Sequence, residues 1–265
     1  MYTGDKYTDA ENFLTNLEPE EAKLVKSKQR VKDAGEVFTP RWVVREMLDL
    51  DEIKDRSFEL DPTFLEPACG NGNFIIQILV RKLMSVSEEA FDIDVARSIA
   101  SIYGVDIAED NVKETRERMM NAIKHFYADN GMELRREIEC SLWYILYRNI
   151  MLGNTLKFEK YAENYSDDEL IKSKAYTNAN LVKRDKNSGR MSIVDMRANC
   201  KDNGIYDLLV SEWVFTPDGV HRAEFKIADM ANGQDAQVLN EYAIVEFDKL
   251  YKMQDNYGLE VSDVI

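Results

Sequence analysis

Phe64-Leu-Glu-Pro-Ala-Cys-Gly-Asn-Gly-Asn-Phe-Ile-Ile-Gln-Ile-Leu-Val80 decides the fold. It reads as a short buried strand, a glycine-tight turn and an amphipathic helix, the arrangement that opens a nucleotide site. Gly70 and Gly72 allow positive φ and a close approach of backbone to ligand, and the following helix begins with unpaired N–H groups. Glu66 adds a carboxylate at the strand end, followed by Pro67, Ala68, Cys69 and Asn71 in the turn. A dinucleotide fingerprint needs a third glycine where Ile75 stands. A carboxylate beside Gly-x-Gly therefore suits a cationic or zwitterionic nucleoside better than a pyrophosphate.

The pattern repeats downstream. The stripe Ile75, Ile78, Leu79, Leu83 and Met84 predicts a helix with one buried face, and Glu88 to Ala100 predicts another. Ser101 to Ile107 reads as a strand ending in Asp106, where a carboxylate can accept two hydrogen bonds from a ribose diol. The competing reading of Asp106 is an N-cap for a helix beginning at Ala108 or Glu109. Glu109 to Asn130 is a long charged helix closed by Gly131. Ser141 to Arg148 is helical and aromatic, and Ile150 to Leu152 is a short strand feeding Gly153 and Asn154. Strand and helix alternating in this way predict an α/β fold, a doubly wound, mostly parallel sheet with helices on both faces.

Upstream, residues 1–34 form a polar, helix-prone segment with sparse apolar contacts at Phe13, Leu14, Leu17, Leu24 and Val25, and residues 35–265 form the domain proper. Between them, Phe38-Thr39-Pro40 places Thr39 as an N-cap and Pro40 as the first helical residue, with Val43, Val44, Met47 and Leu48 on one face. Taken alone, this is a well-capped helix.

Composition limits what the chain does. Its 49 acidic against 34 basic residues leave a formal net charge of -15. A protein gripping DNA by itself carries a basic face, so positive charge here is either concentrated locally or supplied by a partner. The dense basic cluster in the second half of the chain, Lys183, Arg184, Lys186 and Arg190, reads as a solvated loop and as the candidate contact to a phosphate backbone. Cys69, Cys140 and Cys200 show no metal-binding spacing and fit a reducing cytosol. No apolar run reaches membrane-spanning length, which predicts a soluble, cytoplasmic protein without membrane contact.

Glu66-Pro-Ala-Cys-Gly-Asn-Gly-Asn-Phe74 resembles the first S-adenosylmethionine motif of bacterial and bacteriophage DNA adenine-N6 methyltransferases. Gly35-Glu-Val-Phe-Thr-Pro-Arg-Trp-Val-Val-Arg-Glu-Met-Leu48 resembles the Phe-Thr-Pro motif of the subclass shared with type I modification subunits. Ile102 to Val112 resembles the second motif and Asn149 to Leu156 the third. The resemblance implies a Rossmann-like methyltransferase fold with S-adenosylmethionine as cofactor. Glu66, Pro67, Ala68, Cys69, Gly70, Asn71, Gly72, Asp106 and Ile107 would then hold it, with Phe38, Thr39 and Pro40 at its methionine end. Asn154 would accept the adenine amino group, a place where relatives often carry Asp. DNA is the implied partner, met with the help of a second subunit, in a restriction-modification or phage setting; an oligomer is open.

The resemblance fails at one place. Ile205 to Val210 reads as a fourth buried strand, after which the family carries Asn-Pro-Pro-Tyr or Asn-Pro-Pro-Phe. Here the chain reads Ser211-Glu-Trp-Val-Phe215. Only Phe215 matches, with Glu212 as a substitute acceptor; these two are the catalytic candidates. The alternative is a strand running straight into a C-terminal β-hairpin, Trp213 to Phe225, turned at Thr-Pro-Asp-Gly. In that case the chain is a catalytically inactive member of the fold, acting as a binding or regulatory subunit.

Overall fold

The computed structural model describes residues 4–18, 25–34, 36–161, 182–184, 191–193, 205–231 and 236–252. Its chain divides into two compact units, Met1–Leu134 and Arg135–Ile265. The expected division fell at residue 34; the described helices before that point lie inside the first unit.

The first unit is built on α5 (Asn73–Leu83), whose residues 75–83 are all buried. A surface helix buries one stripe; this one is enclosed all round, by α1 (Lys6–Leu17), α3 (Arg41–Leu48), α4 (Asp51–Ser57), α6 (Phe91–Ala100), β2 (Ile102–Asp106) and α7 (Glu109–Asp129). Enclosure buries two cations that periodicity would place in solvent. Arg81 donates to the Leu48 carbonyl at 2.9 Å and pairs with Asp49 at 2.6 Å. Lys82 donates to the carbonyls of Glu59, Leu60 and Pro62 at 2.8, 3.0 and 2.8 Å. Unpaired, either charge would cost several kcal/mol to bury.

β1 (Phe64–Glu66) pairs parallel with β2, Phe64 opposite Ile102 and Glu66 opposite Gly104. The strand ends therefore point the same way, and the turn after β1 lies beside the tip of β2. α7 ends as its sequence predicts: Gly131 takes φ 65°, and Met132 N–H returns to the Tyr127 carbonyl at 2.9 Å. α3 starts one residue later than the capping pattern implied. Pro40 is its N-cap, at φ -59° and ψ 148°, and Val44 N–H bonds to the Pro40 carbonyl at 3.1 Å. The Thr39 side chain does not cap the helix; its carbonyl instead accepts from Asn73 Nδ2 at 2.8 Å.

The second unit begins with α8 (Arg136–Asn149) and β3 (Ile150–Asn154). Here the expected parallel alternation gives way. Glu159–Tyr161, in the polar and charged stretch from Lys157 to Gly204, forms β4, antiparallel to β3 on one side and to Ile205–Asp207 on the other. That second neighbour therefore runs in the direction of β3. Lys183 and Arg184 fall in a short strand, Val182–Arg184 (β5), paired with Met191–Ile193 (β6); Ile205–Asp207 is β7. Their side chains, and Lys186 and Arg190 altogether, lie outside the described residues, as does most of the polar stretch.

The C-terminal hairpin is present and larger than expected. β8 (Leu209–Thr216) pairs antiparallel with β9 (Gly219–Lys226), Thr216 opposite Gly219 around the Pro217-Asp218 turn. β10 (Val238–Val245) adds a third strand. Its core is a fully buried Arg222, which pairs with Glu224 and donates to Ser211 Oγ at 3.0 Å and Tyr144 Oη at 2.9 Å. Tyr242 closes the network on Glu224 at 2.8 Å.

Candidate nucleoside site

The turn after β1 is fixed from both sides. Gly70 and Gly72 take φ 52° and 89°, a region where side chains other than glycine are strained. A Cβ on Gly70 would meet the Phe38 ring at 3.1 Å, and one on Gly72 would meet Thr115 at 2.8 Å. Gly104 is a third constraint the motif did not announce: a Cβ there would stand 2.5 Å from Ile75. The glycines are thus required by Phe38, Thr115 and Ile75 as packing neighbours.

Three amides of the turn are committed within the protein. Cys69 N–H bonds to the Val105 carbonyl at 2.9 Å, Gly70 N–H to Asp106 Oδ2 at 2.9 Å, and Gly72 N–H to the Cys69 carbonyl at 2.8 Å. Two carbonyls are held by α7: Thr115 Oγ1 donates to that of Gly70 at 3.1 Å, and Arg118 to that of Asn71. Arg118 is anchored in turn on Glu18 at 2.6 Å. Thr115 and Arg118, three apart on one helix face, were not among the sequence candidates. Their contacts join stretches more than 40 residues apart, and only their i, i+3 spacing is visible in sequence.

Beside these committed amides stand several acceptors. Glu66 is half-buried; burial pushes its carboxyl up, against a partial offset from the Ala68 N–H at 3.2 Å. Asp106 stands at the tip of β2 and accepts from Gly70, from Ala108 N–H at 2.8 Å and from Asn111 Nδ2 at 3.2 Å. The N-cap of α7 is Ala108, with no side-chain cap, so Asp106 does not cap the helix as the competing reading had it. Three further oxygens around the turn, Glu36 Oε1, Asn71 Oδ1 and Asn111 Oδ1, are buried without a hydrogen-bond partner. Buried polar atoms normally find one. A ligand bringing donors, such as an ammonium, an amino group or ribose hydroxyls, fits such surroundings; a pyrophosphate, which only accepts, does not.

Around this centre, Phe38 is buried against Gly70 with the Lys26 ammonium 6.0 Å from its ring centroid, and Pro40 caps α3. Pro67 and Ala68 are exposed on the turn, and so is Ile107. Cys69 is buried, and burial pushes its thiol far above the usual range, so it is a neutral packing group.

Residues 23–138 match the model of the N-6 DNA methylase family. The match covers the Phe-Thr-Pro segment, the glycine turn and Asp106. No curated protein and no solved structure matches the chain.

The methylase match ends before Asn154, Glu212 and Phe215, which belong to the second unit. Asn154 closes β3, paired with Glu159 of β4. Glu212 and Phe215 are not on a loop after a strand; they are inside β8, opposite Ala223 and Val220. An odd spacing of three within a strand sends their side chains to opposite faces. Phe215 packs edge-on against Phe247, with centroids 6.4 Å apart, and Glu212 is exposed. Trp213, where the family has its first proline, donates from Nε1 to Asn149 Oδ1 at 3.0 Å.

Proposed function

We propose that the first unit binds S-adenosylmethionine between the ends of β1 and β2, and that the chain serves adenine-N6 methylation of DNA. The observation that carries this reading is the pairing of two acidic strand ends, Glu66 and Asp106, across a rigid glycine turn within the methylase segment. Asp106 would accept from the ribose, Glu66 from a donor beyond it, and Phe38, Thr39 and Pro40 would flank the methionine end. Pro67, Ala68, Cys69, Asn71 and Ile107 would complete the wall. The cofactor supplies an activated methyl on its sulfonium; this chain supplies binding and orientation. The acidic balance suits a cationic ligand and leaves the grip on DNA to a partner subunit, as in a restriction-modification system.

A second reading has its own observation. With Glu212 and Phe215 on opposite faces of a paired strand, β8 presents no convergent acceptor and stacking ring for a flipped adenine. In that reading the chain binds the cofactor and acts as a non-catalytic subunit. Equilibrium dialysis against methyl-labelled S-adenosylmethionine tests the first claim: wild type retains label and Asp106→Ala loses most of it. Incubating the loaded protein with adenine-containing DNA, alone and with a partner subunit, then separates the readings. Label on DNA supports catalysis, and none under either condition supports the second.

A further inference from the structure

Asp106 does not stand alone at its strand tip; a line of side chains from the N-terminal segment holds it. Arg30 donates from Nε to Glu36 Oε2 at 3.0 Å. Asn111 Nδ2 lies between two carboxylates, 3.0 Å from Glu36 Oε2 and 3.2 Å from Asp106 Oδ1. Both amide hydrogens are thereby spent, and with acceptors on each side the nitrogen is the only atom that can occupy this place. Asn111 is 1% exposed, and Glu36 keeps 12% of its side chain exposed. Arg30 is itself tied to Asp110 at 2.6 Å, and burial works against that carboxyl while Arg30 and Lys26 together hold it down to about 2.

We infer that Glu36 is a positioning residue for the nucleoside site, acting through Asn111 to fix the rotation of the Asp106 carboxylate. The inference rests on the cofactor reading above. Its sharper content comes from counting lone pairs. Ala108 N–H and Asn111 Nδ2 fill the two positions on Asp106 Oδ1, and Gly70 N–H takes one of the two on Oδ2. One position remains, on Oδ2. Asp106 therefore takes a single ribose hydroxyl, in place of the two expected from its position in sequence. Without Glu36, the Asn111 amide loses one of its two acceptors and is free to turn, and Asp106 Oδ1 keeps only the Ala108 N–H as a fixed donor.

The test uses S-adenosylhomocysteine and its 2′-deoxy and 3′-deoxy forms, titrated calorimetrically into the full chain, Glu36→Ala and Glu36→Gln. Wild type binds one deoxy form roughly tenfold more weakly than the parent, the cost of one hydrogen bond to a charged group, and the other with little change. Glu36→Ala weakens the parent several-fold and shrinks the gap to the sensitive deoxy form. Glu36→Gln, which keeps an acceptor for Arg30 and Asn111, restores most of that gap. An equal loss for parent and both deoxy forms means Glu36 merely supports the fold, and an unchanged gap removes it from the site; either overturns the inference. Failure of wild type to bind any of the three overturns the cofactor reading itself, and this inference with it.

Discussion

The turn at Glu66 to Gly72 and the strand at Leu209 to Thr216 are the two places where a methylase is most demanding, and they differ in how the chain meets the demand. At the turn, two glycines take positive φ and every neighbour is arranged around them: Phe38, Thr115, Arg118, Asp106. At the strand, the prolines that would break a ladder are absent. Trp213 and Val214 continue it, and eight residues pair in unbroken register with β9. The difference teaches that a motif keeps its backbone geometry only where the residues with special φ preferences are kept. Glycine permits what other residues resist, and proline forbids what other residues prefer.

The largest expected effect falls on the strand side. Arg222→Met leaves Glu224 charged and buried beside Tyr242 without its counter-ion, and unfolding in urea loses about 3–5 kcal/mol. Adding Glu224→Gln recovers part of that loss. If the ladder is what commits residues 209–216 to structure, both variants leave S-adenosylmethionine binding by the first unit unchanged wherever the protein is folded.

On the turn side, Lys82→Met removes a buried cation from three carbonyls and costs about 1–3 kcal/mol. It also carries a pH signature. Burial pushes Lys82 down to about 7, against some support from Asp61 and Glu59. The unfolded chain then holds this proton between about pH 7 and the ordinary value of 10.5 while the folded chain has shed it, so its contribution to stability rises with pH across that window. Lys82→Met flattens that part of the profile. A wild-type profile as flat as that of Lys82→Met across this window would show the three carbonyls keeping the ammonium charged.

These two residues also mark what sequence does and does not disclose. The glycine turn, Asp106 at its strand tip, the α7 terminus at Gly131 and the Thr-Pro-Asp-Gly hairpin were legible, because each depends on φ preferences or capping within a few residues. Arg81 and Lys82 were not: periodicity describes one buried face, and α5 is enclosed by elements distant in sequence, α1 among them. β4 was not, because Glu159-Lys-Tyr161 is too short and polar for any alternation signal, and its pairing is settled by β3 and β7. Glu36, Thr115 and Arg118 were missed for the same reason: their part in the site consists of contacts between distant stretches.

The smallest effects sharpen the comparison most. Phe215→Ala loses an edge contact to Phe247 and costs about 1–2 kcal/mol, and Glu212→Gln on the exposed face changes stability by less than about 0.5 kcal/mol. If β8 is only a ladder, neither alters methyl transfer to DNA beyond what its stability change explains. A large drop in transfer with Glu212→Gln, at unchanged stability, would return that residue to the chemistry.

The central claim is that an acceptor-rich turn in the first unit holds a donor-bearing nucleoside. Side-by-side calorimetric titration of the full chain with S-adenosylmethionine and with NAD tests it most directly. The account predicts saturable binding of S-adenosylmethionine near one per chain and none of NAD, whose pyrophosphate meets the acidic side chains of Glu66 and Asp106. Binding of NAD at equal strength, or no binding of S-adenosylmethionine, would contradict it.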